Sequence, residues 1–417
     1  MSDYSGANSA ASLNGLFKEV YEDNLKRLIP DGKKVLSRVK FVSKDKQPGN
    51  AYHQPVVLAM EHGVTFADDT EGAFALNPPV AGQIKDAVVK GFQLVLRSAM
   101  PYAQASRSMG PGERAFEEAT KYLVGSMLDS IQKKLEIECI YGGKEYGLAN
   151  AVAAGLVITI TSAEFAPGIW SGAVGMPIDI YNSAGTVQRG GASATIASVD
   201  LNNKTITLSA GDAAVAAAVV ATDRILHKGA LGKEFSGIHT ILANTGTLFG
   251  ISASQYDLWK GSSFAPSSTS VLSFAILQQA ISKGVEKGLD TDVMVLVNPS
   301  QWDDLLTEQA ALRMYDSSYS KETAENGSKT IKFHSQNGMV EVVPSIYVKE
   351  GYSYVLCLED WVRVGSTDVT FKRPGQEGNF FRELEDHAGY ELRCYTDQAI
   401  FCARPGRSVL ISNLKAS

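Results

Sequence analysis

The longest helical pattern in the chain covers residues 112–138 and stops before Gly142 and Gly143. Apolar residues recur there every three or four positions, which places them on one face of a helix. Acidic residues precede basic residues on the opposite face, the order that the helix dipole favours. At about 1.5 Å per residue the predicted helix is roughly 40 Å long, so it can form the spine of an elongated subunit. The apolar face comprises Phe116, Ala119, Tyr122, Leu123, Met127, Ile131, Leu135 and Ile137.

The region before this helix predicts an arm followed by a long excursion of two strands. Residues 13–28 have the pattern of a short amphipathic helix. Residues 51–66 and 84–100 have strand-like patterns, and the loop at 63–82 is rich in glycine, proline and acidic residues. Because an isolated two-stranded ribbon is only marginally stable in water, we expect a neighbouring subunit to cover it.

Residues 155–221 differ in composition from the rest of the chain. They are rich in small and β-branched residues and contain six charged residues. Alternating apolar and polar positions predict strands at 177–183, 194–200 and 205–209, the last two joined by a hairpin turn. We therefore expect a small antiparallel barrel or sandwich that is inserted in a larger domain and folds semi-independently on the surface.

The second half of the chain predicts a mixed domain and then a domain made mainly of strands. Serine-capped helical periodicity at 267–287 precedes a buried strand at 292–298, and Pro299 opens the next helix. From Lys332 onward nearly every pattern is that of a strand, except for a charged, exposed insertion at 372–389.

The composition is that of a soluble globular protein of two or three domains. The chain has 417 residues, of which 44% are hydrophobic and 20% charged. No apolar run approaches the roughly 20 residues that span a bilayer, and the first residues lack the features of a signal peptide. The formal net charge of −6 argues against a protein whose whole surface binds nucleic acid, but it is compatible with a container whose inner wall tolerates DNA.

Two oppositely charged stretches flank the first predicted strand of the excursion. Between Lys26 and Lys46 there are eight basic and two acidic residues, a net charge of +6. Between Glu61 and Glu71 there are four acidic residues and no lysine or arginine. A solvated loop explains the basic stretch equally well.

The motifs that mark common enzyme sites do not occur in the sequence. It contains no phosphate-binding GxxxxGK[ST], no dinucleotide-binding GxGxxG after a strand, no HExxH and no GxSxG. Ser318 to Lys321 match a bare SxxK, which is common by chance. The four cysteines form no CxxC pair, so they are expected to be buried as small apolar residues. We therefore predict that the protein is not an enzyme and has no catalytic, cofactor or metal site.

The order of these elements resembles the major capsid proteins of tailed bacteriophages, which have the Hong Kong 97-type fold. An arm, a long two-stranded loop and a spine helix follow one another, as in that family. The motifs GISASQYDLWKG at 250–261 and VLVNPSQW at 295–302 are similar to stretches of such proteins. The segment YELRCYTDQAIFCARP at 390–405 resembles the closing hairpin of the family's peripheral domain.

The resemblance implies an α+β fold with arm, E-loop, spine helix, peripheral and axial domains, plus the inserted β-rich barrel. It implies hexamers and pentamers in an icosahedral head around double-stranded DNA, with portal, scaffold and possibly decoration proteins as partners and no membrane. The protein is then expected in the virion after assembly in the cytoplasm of a bacterial host. The expected segments are an arm at 1–50, an E-loop at 51–101, a peripheral domain at 102–145 and 331–417, an axial domain at 146–154 and 222–330, and the insert at 155–221.

Within that architecture, the arm and the E-loop reach across neighbouring subunits, so we expect their opposite charges to meet between subunits. The alternative is that the basic residues of the arm face packaged DNA. The expected inter-subunit residues are Lys33, Lys34, Arg38, Lys40, Asp68, Asp69, Glu71, Lys372 and Arg373.

The sequence also departs from the family pattern. The founding member links subunits through an E-loop lysine, whereas residues 63–82 contain no lysine, so such a bond is not expected here. No long helical leader precedes the arm, which favours a separate scaffold protein. Two alternatives remain open at this point, an encapsulin-type nanocompartment and an unrecognised enzyme.

Overall fold

A computed structural model describes residues 32–42, 51–70, 72–101, 114–151, 153–314, 331–336, 338–372, 381–383 and 389–416. The predicted helix at 13–28 and the SxxK match at 318–321 lie outside these residues. The helices are α1 (Val35–Arg38), α2 (Arg114–Tyr141), α3 (Pro167–Trp170), α4 (Ala213–Ala218), α5 (Ile238–Leu242), α6 (Phe274–Val285) and α7 (Pro299–Met314).

The strands form several sheets that alternate with these helices. In the first half they are β1 (Tyr52–Ala59), β2 (Gln83–Val89), β3 (Phe92–Pro101), β4 (Gly147–Leu148), β5 (Val157–Thr159), β6 (Pro177–Tyr181), β7 (Ala194–Asp200), β8 (Thr205–Leu208) and β9 (Arg224–His227). In the second half they are β10 (Thr247–Leu248), β11 (Ile251–Ser252), β12 (Ser262–Phe264), β13 (Val293–Val297), β14 (Ile331–Ser335), β15 (Gly338–Pro344), β16 (Ser353–Leu356), β17 (Trp361–Thr370), β18 (Phe381–Glu383), β19 (Gly389–Cys402) and β20 (Val409–Ile411).

The predicted spine helix is confirmed as α2, with 28 residues. The last part of its apolar stripe is buried, with Met127, Ile131, Leu135 and Ile137 each less than 5% exposed. The helix continues one turn past the predicted end and stops at Tyr141. Gly143 then adopts a φ of +76°, a conformation that favours glycine after a helix.

The predicted return strand at 84–100 is wrong as a single element, because the chain divides it into β2 and β3. Strand β2 pairs with β1 in an antiparallel ribbon, whereas β3 leaves the ribbon and pairs along β19. The break falls at Lys90 and Gly91. A Cβ at Gly91 would overlap the carboxylate of Asp397, so glycine permits the close passage from one sheet to the other.

The segment that resembles a closing hairpin is instead one long strand, β19, which pairs with β3, β17 and β18. No turn forms at its polar centre because the polar side chains are bonded inside the sheet. Gln398 donates to Thr396 Oγ1 at 2.7 Å and accepts from Arg363 Nη1 at 2.9 Å.

A second sheet has the strand order β12-β20-β16-β13-β15-β14. All five residues of β13 are buried, which confirms the strand predicted at 292–298. Helix α7 opens at Pro299 as predicted. Helix α6 begins at Phe274 rather than 267, after Ser273, whose hydroxyl accepts from the Ile276 N–H at 3.3 Å.

The predicted insert lies within a sheet of order β4-β9-β6-β7-β8-β5, which therefore reaches from Gly147 to His227. The sheet closes on itself where the chain next to β4 meets β5, since Ala149 bridges Ile160 and the Asn150 N–H donates to Thr159 O at 2.8 Å. The hairpin predicted between β7 and β8 is confirmed, with Asp200 opposite Thr205. Trp170 is fully buried in the same hydrophobic core as the end of α2, so the segment shares its core with the spine helix.

A buried ion cluster lies where the spine helix, this sheet and the second half of the chain meet. Lys349 is fully buried, and its Nζ donates to Glu164 Oε2 at 2.6 Å and to Glu145 O at 2.9 Å. Lys144 Nζ donates to Glu164 Oε1 at 3.2 Å, and the Tyr352 hydroxyl donates to the same oxygen at 2.6 Å. One carboxylate thus receives three donors from two regions of the chain.

The protonation states inside the cluster follow from burial and mutual charge. Burial alone would raise the pKa of the Glu164 carboxyl, but Lys349 and Lys144 outweigh it and lower that pKa to about 2. Burial and the same two ammonium groups lower the pKa of His239 to about 2, so its ring is neutral. Lys144 Nζ donates to His239 Nε2 at 3.0 Å, which leaves Nδ1–H to donate to Tyr354 Oη at 3.0 Å.

Glu164→Gln is expected to destabilise the protein by about 3–5 kcal/mol, because it leaves the fully buried Lys349 ammonium without an anionic partner. The measurement is the free energy of urea unfolding at pH 7. Because the folded-state pKa of Glu164 is depressed, its contribution is present above pH 4.5 and is lost as the pH falls towards 2. The gap between wild type and variant should therefore close over that interval.

Glu286→Gln is the matched control, since Glu286 pairs with Lys283 on the surface and such pairs are worth about 0–1 kcal/mol. A Glu164→Gln variant as stable as this control would show that the cluster does not stabilise the fold.

Candidate assembly surface

The arm segment, residues 32–42, is anchored to the spine helix by a buried carboxylate. Glu136 is fully buried, and its two oxygens accept from the N–H groups of Lys34, Val35 and Leu36, each at 2.8 Å. These groups form the first turn of α1, where N–H groups lack partners within the helix. Burial raises the pKa of Glu136, and the three N–H groups act in the opposite direction.

After α1 the arm segment lies beside β17 and forms one parallel bridge with it, between Phe41 and Arg363. The Arg363 N–H donates to Lys40 O, and the Val42 N–H donates to Arg363 O, each at 2.8 Å. The Arg363 guanidinium also donates to Val39 O at 3.0 Å. Backbone hydrogen bonds to β17 therefore help to fix the position of residues 39–42, which the sequence pattern did not reveal.

The basic residues of the arm segment differ in their surroundings. Lys33 donates to Gln132 Oε1 and lies 3.5 Å from an Asp129 oxygen. Arg38 binds both oxygens of Glu341, at 3.0 and 3.2 Å. Both residues thus have partners within their own chain, on the spine helix and on β15. The Lys34 side chain is half-buried, and Lys40 is exposed.

The ribbon, defined as β1, β2 and residues 60–82 between them, exposes a large apolar surface. Phe66 is 90% exposed, Leu76 78% and Met60 77%. Val57 and Ile84, which are paired across the two strands, are each 67% exposed. Isolated surface hydrophobic residues are normal, but a contiguous set marks an interaction site. The eight large exposed hydrophobic residues of the ribbon are Val57, Met60, Val64, Phe66, Phe74, Leu76, Val80 and Ile84.

The base of the ribbon is held firmly by its own subunit. Ala87 and Val89 are buried, and the Val88 N–H donates to Phe249 O at 3.0 Å. The Phe401 ring packs edge-on against Tyr52 and Phe249, with centroids 5.6 and 5.3 Å away. The ribbon therefore projects its exposed part from a fixed base.

Two of the predicted acidic residues of the ribbon are exposed on the surface of the subunit. Asp68 and Asp69 are exposed at the tip, and Asp68 Oδ1 accepts from the Thr70 N–H at 2.8 Å. Lys372 is exposed at the end of β17. Glu71 and Arg373 lie outside the described residues. The ion pairs of Lys33 and Arg38 are with Asp129 and Glu341, so the structure does not bring these two bases to the predicted acids within one chain.

Metal-binding clusters, disulfides and membrane-spanning helices are not found among the residues that the structure describes. There, no group of three or more histidine, cysteine or acidic side chains is arranged to hold a metal ion. All four cysteines are buried and free, as predicted. Burial raises the pKa of the Cys394 thiol to about 11, which makes it a poor nucleophile. None of the described helices has the length and apolar character needed to cross a bilayer.

Comparison with solved structures shows that the fold of this chain is similar to folds found in capsid structures. Neither a protein-family model nor a curated protein matches the sequence. Among solved structures, the capsid asymmetric unit of cyanophage A-1(L) matches with a TM-score of 0.58 and 12% identity, over 98% of this chain and 99% of that chain. The capsid of a native GTA particle matches with a TM-score of 0.51 and 9% identity, over 97% of this chain and 98% of that chain. The holo-SrpI encapsulin complex from Synechococcus elongatus PCC 7942 matches with a TM-score of 0.45 and 8% identity, over 98% and 96%.

Both matches above 0.5 cover nearly the whole of each chain, so the likeness extends over the complete architecture and is not limited to one domain. The chain therefore has the mixed helix and sheet architecture of these capsid structures, the Hong Kong 97-type fold that the order of its elements predicts.

Proposed function

We propose that the protein is a major capsid protein whose copies assemble through the ribbon into a closed shell. The observation that carries this proposal is the apolar surface that the ribbon exposes from a fixed base. Complete burial of one such side chain is worth about 1.5–3 kcal/mol, so the eight, which are 46–90% exposed, supply roughly 8–16 kcal/mol when a neighbour covers them. That is comparable with or larger than the roughly 4–15 kcal/mol that association costs, so a second copy covering the ribbon makes assembly favourable.

The finer proposal is the head of a tailed bacteriophage. Hexamers and pentamers build an icosahedral shell around double-stranded DNA, with a separate scaffold, a portal and decoration proteins as partners, and assembly takes place in the bacterial host. The fold supports this proposal. A nanocompartment that encloses cargo enzymes is the alternative, and the contents of purified particles distinguish the two.

The division of labour along the chain is part of the proposal. Residues 1–50 act as the arm and 51–101 as the E-loop, and both reach a neighbouring subunit. Residues 102–145 and 331–417 form the peripheral domain, and residues 146–154 and 222–330 the axial domain, with 155–221 as its insert. The proposed contacts between subunits use Asp68, Asp69 and Glu71 on one side and Lys34, Lys40, Lys372 and Arg373 on the other, with Lys33 and Arg38 beside them.

Replacing Phe66 and Leu76 with serine should abolish or strongly weaken assembly, because the pair removes two of the most exposed apolar side chains of the ribbon. Light scattering and electron microscopy of purified protein report particle size. The control replaces Val174 and Leu258, exposed by 66% and 57% elsewhere on the subunit, with serine.

The control should assemble like the wild type. If both double variants assemble equally well, the ribbon is not the driving contact. A wild-type protein that stays monomeric or dimeric under every assembly condition would contradict the shell itself.

Replacing Asp68 and Asp69 with asparagine and Glu71 with glutamine should weaken empty shells and reduce the salt dependence of their assembly. Exposed ion pairs are worth only about 0–1 kcal/mol each, and salt screens them over about 8 Å at physiological ionic strength. The midpoint of assembly as a function of salt concentration is the measurement, and Asp303→Asn, also exposed, is the control.

The competing role for the arm gives a different result. If empty shells of the triple variant are unchanged, while neutralising Lys34 and Lys40 lowers only the DNA retained by filled particles, the arm serves the genome and not the neighbouring subunit.

A further inference from the structure

A cleft of about 180 Å³ opens between the start of β3, the spine helix and the connector, defined as residues 228–237. The connector links the insert-containing sheet to α5. Lys134 and Glu138 line the cleft from the spine helix, and Glu234 lines it from the connector. The cleft therefore lies where movement of the connector relative to the helix would open or close it.

Three buried polar atoms around this cleft have no hydrogen-bond partner among the described residues. They are Lys134 Nζ, Glu234 Oε1 and the hydroxyl of Tyr146. Lys134 Nζ lies 3.4 Å from a Glu138 oxygen and 3.9 Å from Glu234 Oε1, both ion-pair distances. The side chains of Glu138 and Glu234 are only 7% and 5% exposed. Two buried carboxylates thus share one lysine.

The charges that face Glu234 do not neutralise both carboxylates. Arg224 on β9 donates to Glu145 Oε2 at 3.0 Å, so its charge is already paired. Burial lowers the pKa of His227, which keeps its ring neutral. Lys228 and Lys233 of the connector also line the cleft, but both are exposed to solvent. The buried set of Lys134, Glu138 and Glu234 carries a net charge of −1 when both acids are ionised.

Burial raises the pKa of Glu138, and burial together with the neighbouring charge of Glu138 raises the pKa of Glu234 to about 7. Near neutral pH this carboxyl therefore exchanges between a neutral form that suits the cleft and an anionic form that the cleft neutralises only in part. Packing alone does not require an ionisable group at this position, because a glutamine side chain has the same shape and would fill the same space.

We propose that Glu234, Lys134 and Glu138 form a proton-operated latch, which holds the connector to the spine helix when Glu234 is protonated and loosens it when Glu234 is ionised. The proposal concerns the single subunit and does not depend on the proposed shell.

The backbone around Glu234 shows where the latch would act. Its Oε2 accepts from the Gly143 N–H at 3.2 Å, and the Gly237 N–H donates to Gly142 O at 2.9 Å. A Cβ on Gly142 or Gly237 would overlap the opposing backbone, so the connector and the helix end are in close contact. Loosening Glu234 would therefore expose the amides of the connector and of the helix end first.

The test is hydrogen exchange of the purified full chain at pH 6 and pH 8.5, measured by mass spectrometry and corrected for intrinsic exchange rates. Protection of the connector amides should fall at the higher pH. A rise in pKa from 4.5 to about 7 corresponds to at most roughly a 300-fold change in the opening equilibrium, most of it between pH 4.5 and pH 7, so roughly a tenfold change is expected between pH 6 and pH 8.5. Glu234→Gln, which mimics the protonated form, should keep the same protection at both values.

Two further variants keep the test decisive. Glu138→Gln should lower the midpoint pH of the transition and shrink or remove the loss of protection, because the repelling charge of Glu138 is gone and Lys134 then pairs with Glu234 alone. Glu286→Gln, in an exposed pair elsewhere, should keep the wild-type pH dependence. Equal pH dependence of connector protection in the wild type and in Glu234→Gln would overturn the proposal.

Discussion

The structure depends on the requirement that a buried charge must be paired or hydrogen-bonded, and the end of the spine helix concentrates such charges. Glu136 holds the first turn of the arm helix, and Glu138 lies against Lys134 and the connector. One turn later the Tyr141 hydroxyl accepts from the Lys349 N–H at 2.7 Å. Three neighbouring positions of one helix thereby fix the arm, the connector and the buried ion cluster relative to one another.

How much of this could be predicted depends on whether the signal is local in sequence. Periodicity predicted the spine helix, the buried strand β13 and the hairpin between β7 and β8, because each is determined by neighbouring residues. The anchoring role of Glu136 was missed, since its partners lie about 100 residues away and a glutamate on a helix is normally solvated. The break at Gly91 was missed for the same reason, because the close contact of Gly91 with Asp397 involves a strand about 300 residues away.

The candidate surface was predicted in outline and not in detail. The sequence showed that a two-stranded ribbon lacks a cover, and the structure adds which residues are exposed and how the base is held. The charges of the arm behave differently, since Lys33 and Arg38 have partners in their own chain. Two of the basic residues that contribute to the net charge of +6 are therefore paired inside the subunit, which the sequence alone does not show.

The two buried ionic groups near the spine helix differ in how completely they are neutralised, and this separates their roles. Glu164 has two ammonium groups, and its pKa of about 2 keeps it ionised at any physiological pH. Glu234 shares one ammonium group with Glu138, and its pKa of about 7 places its titration in the physiological range. A change of pH near neutrality therefore leaves the charge of Glu164 unaltered, but it changes the charge of Glu234. A pH response at the connector can therefore occur without loss of the buried ion cluster around Glu164.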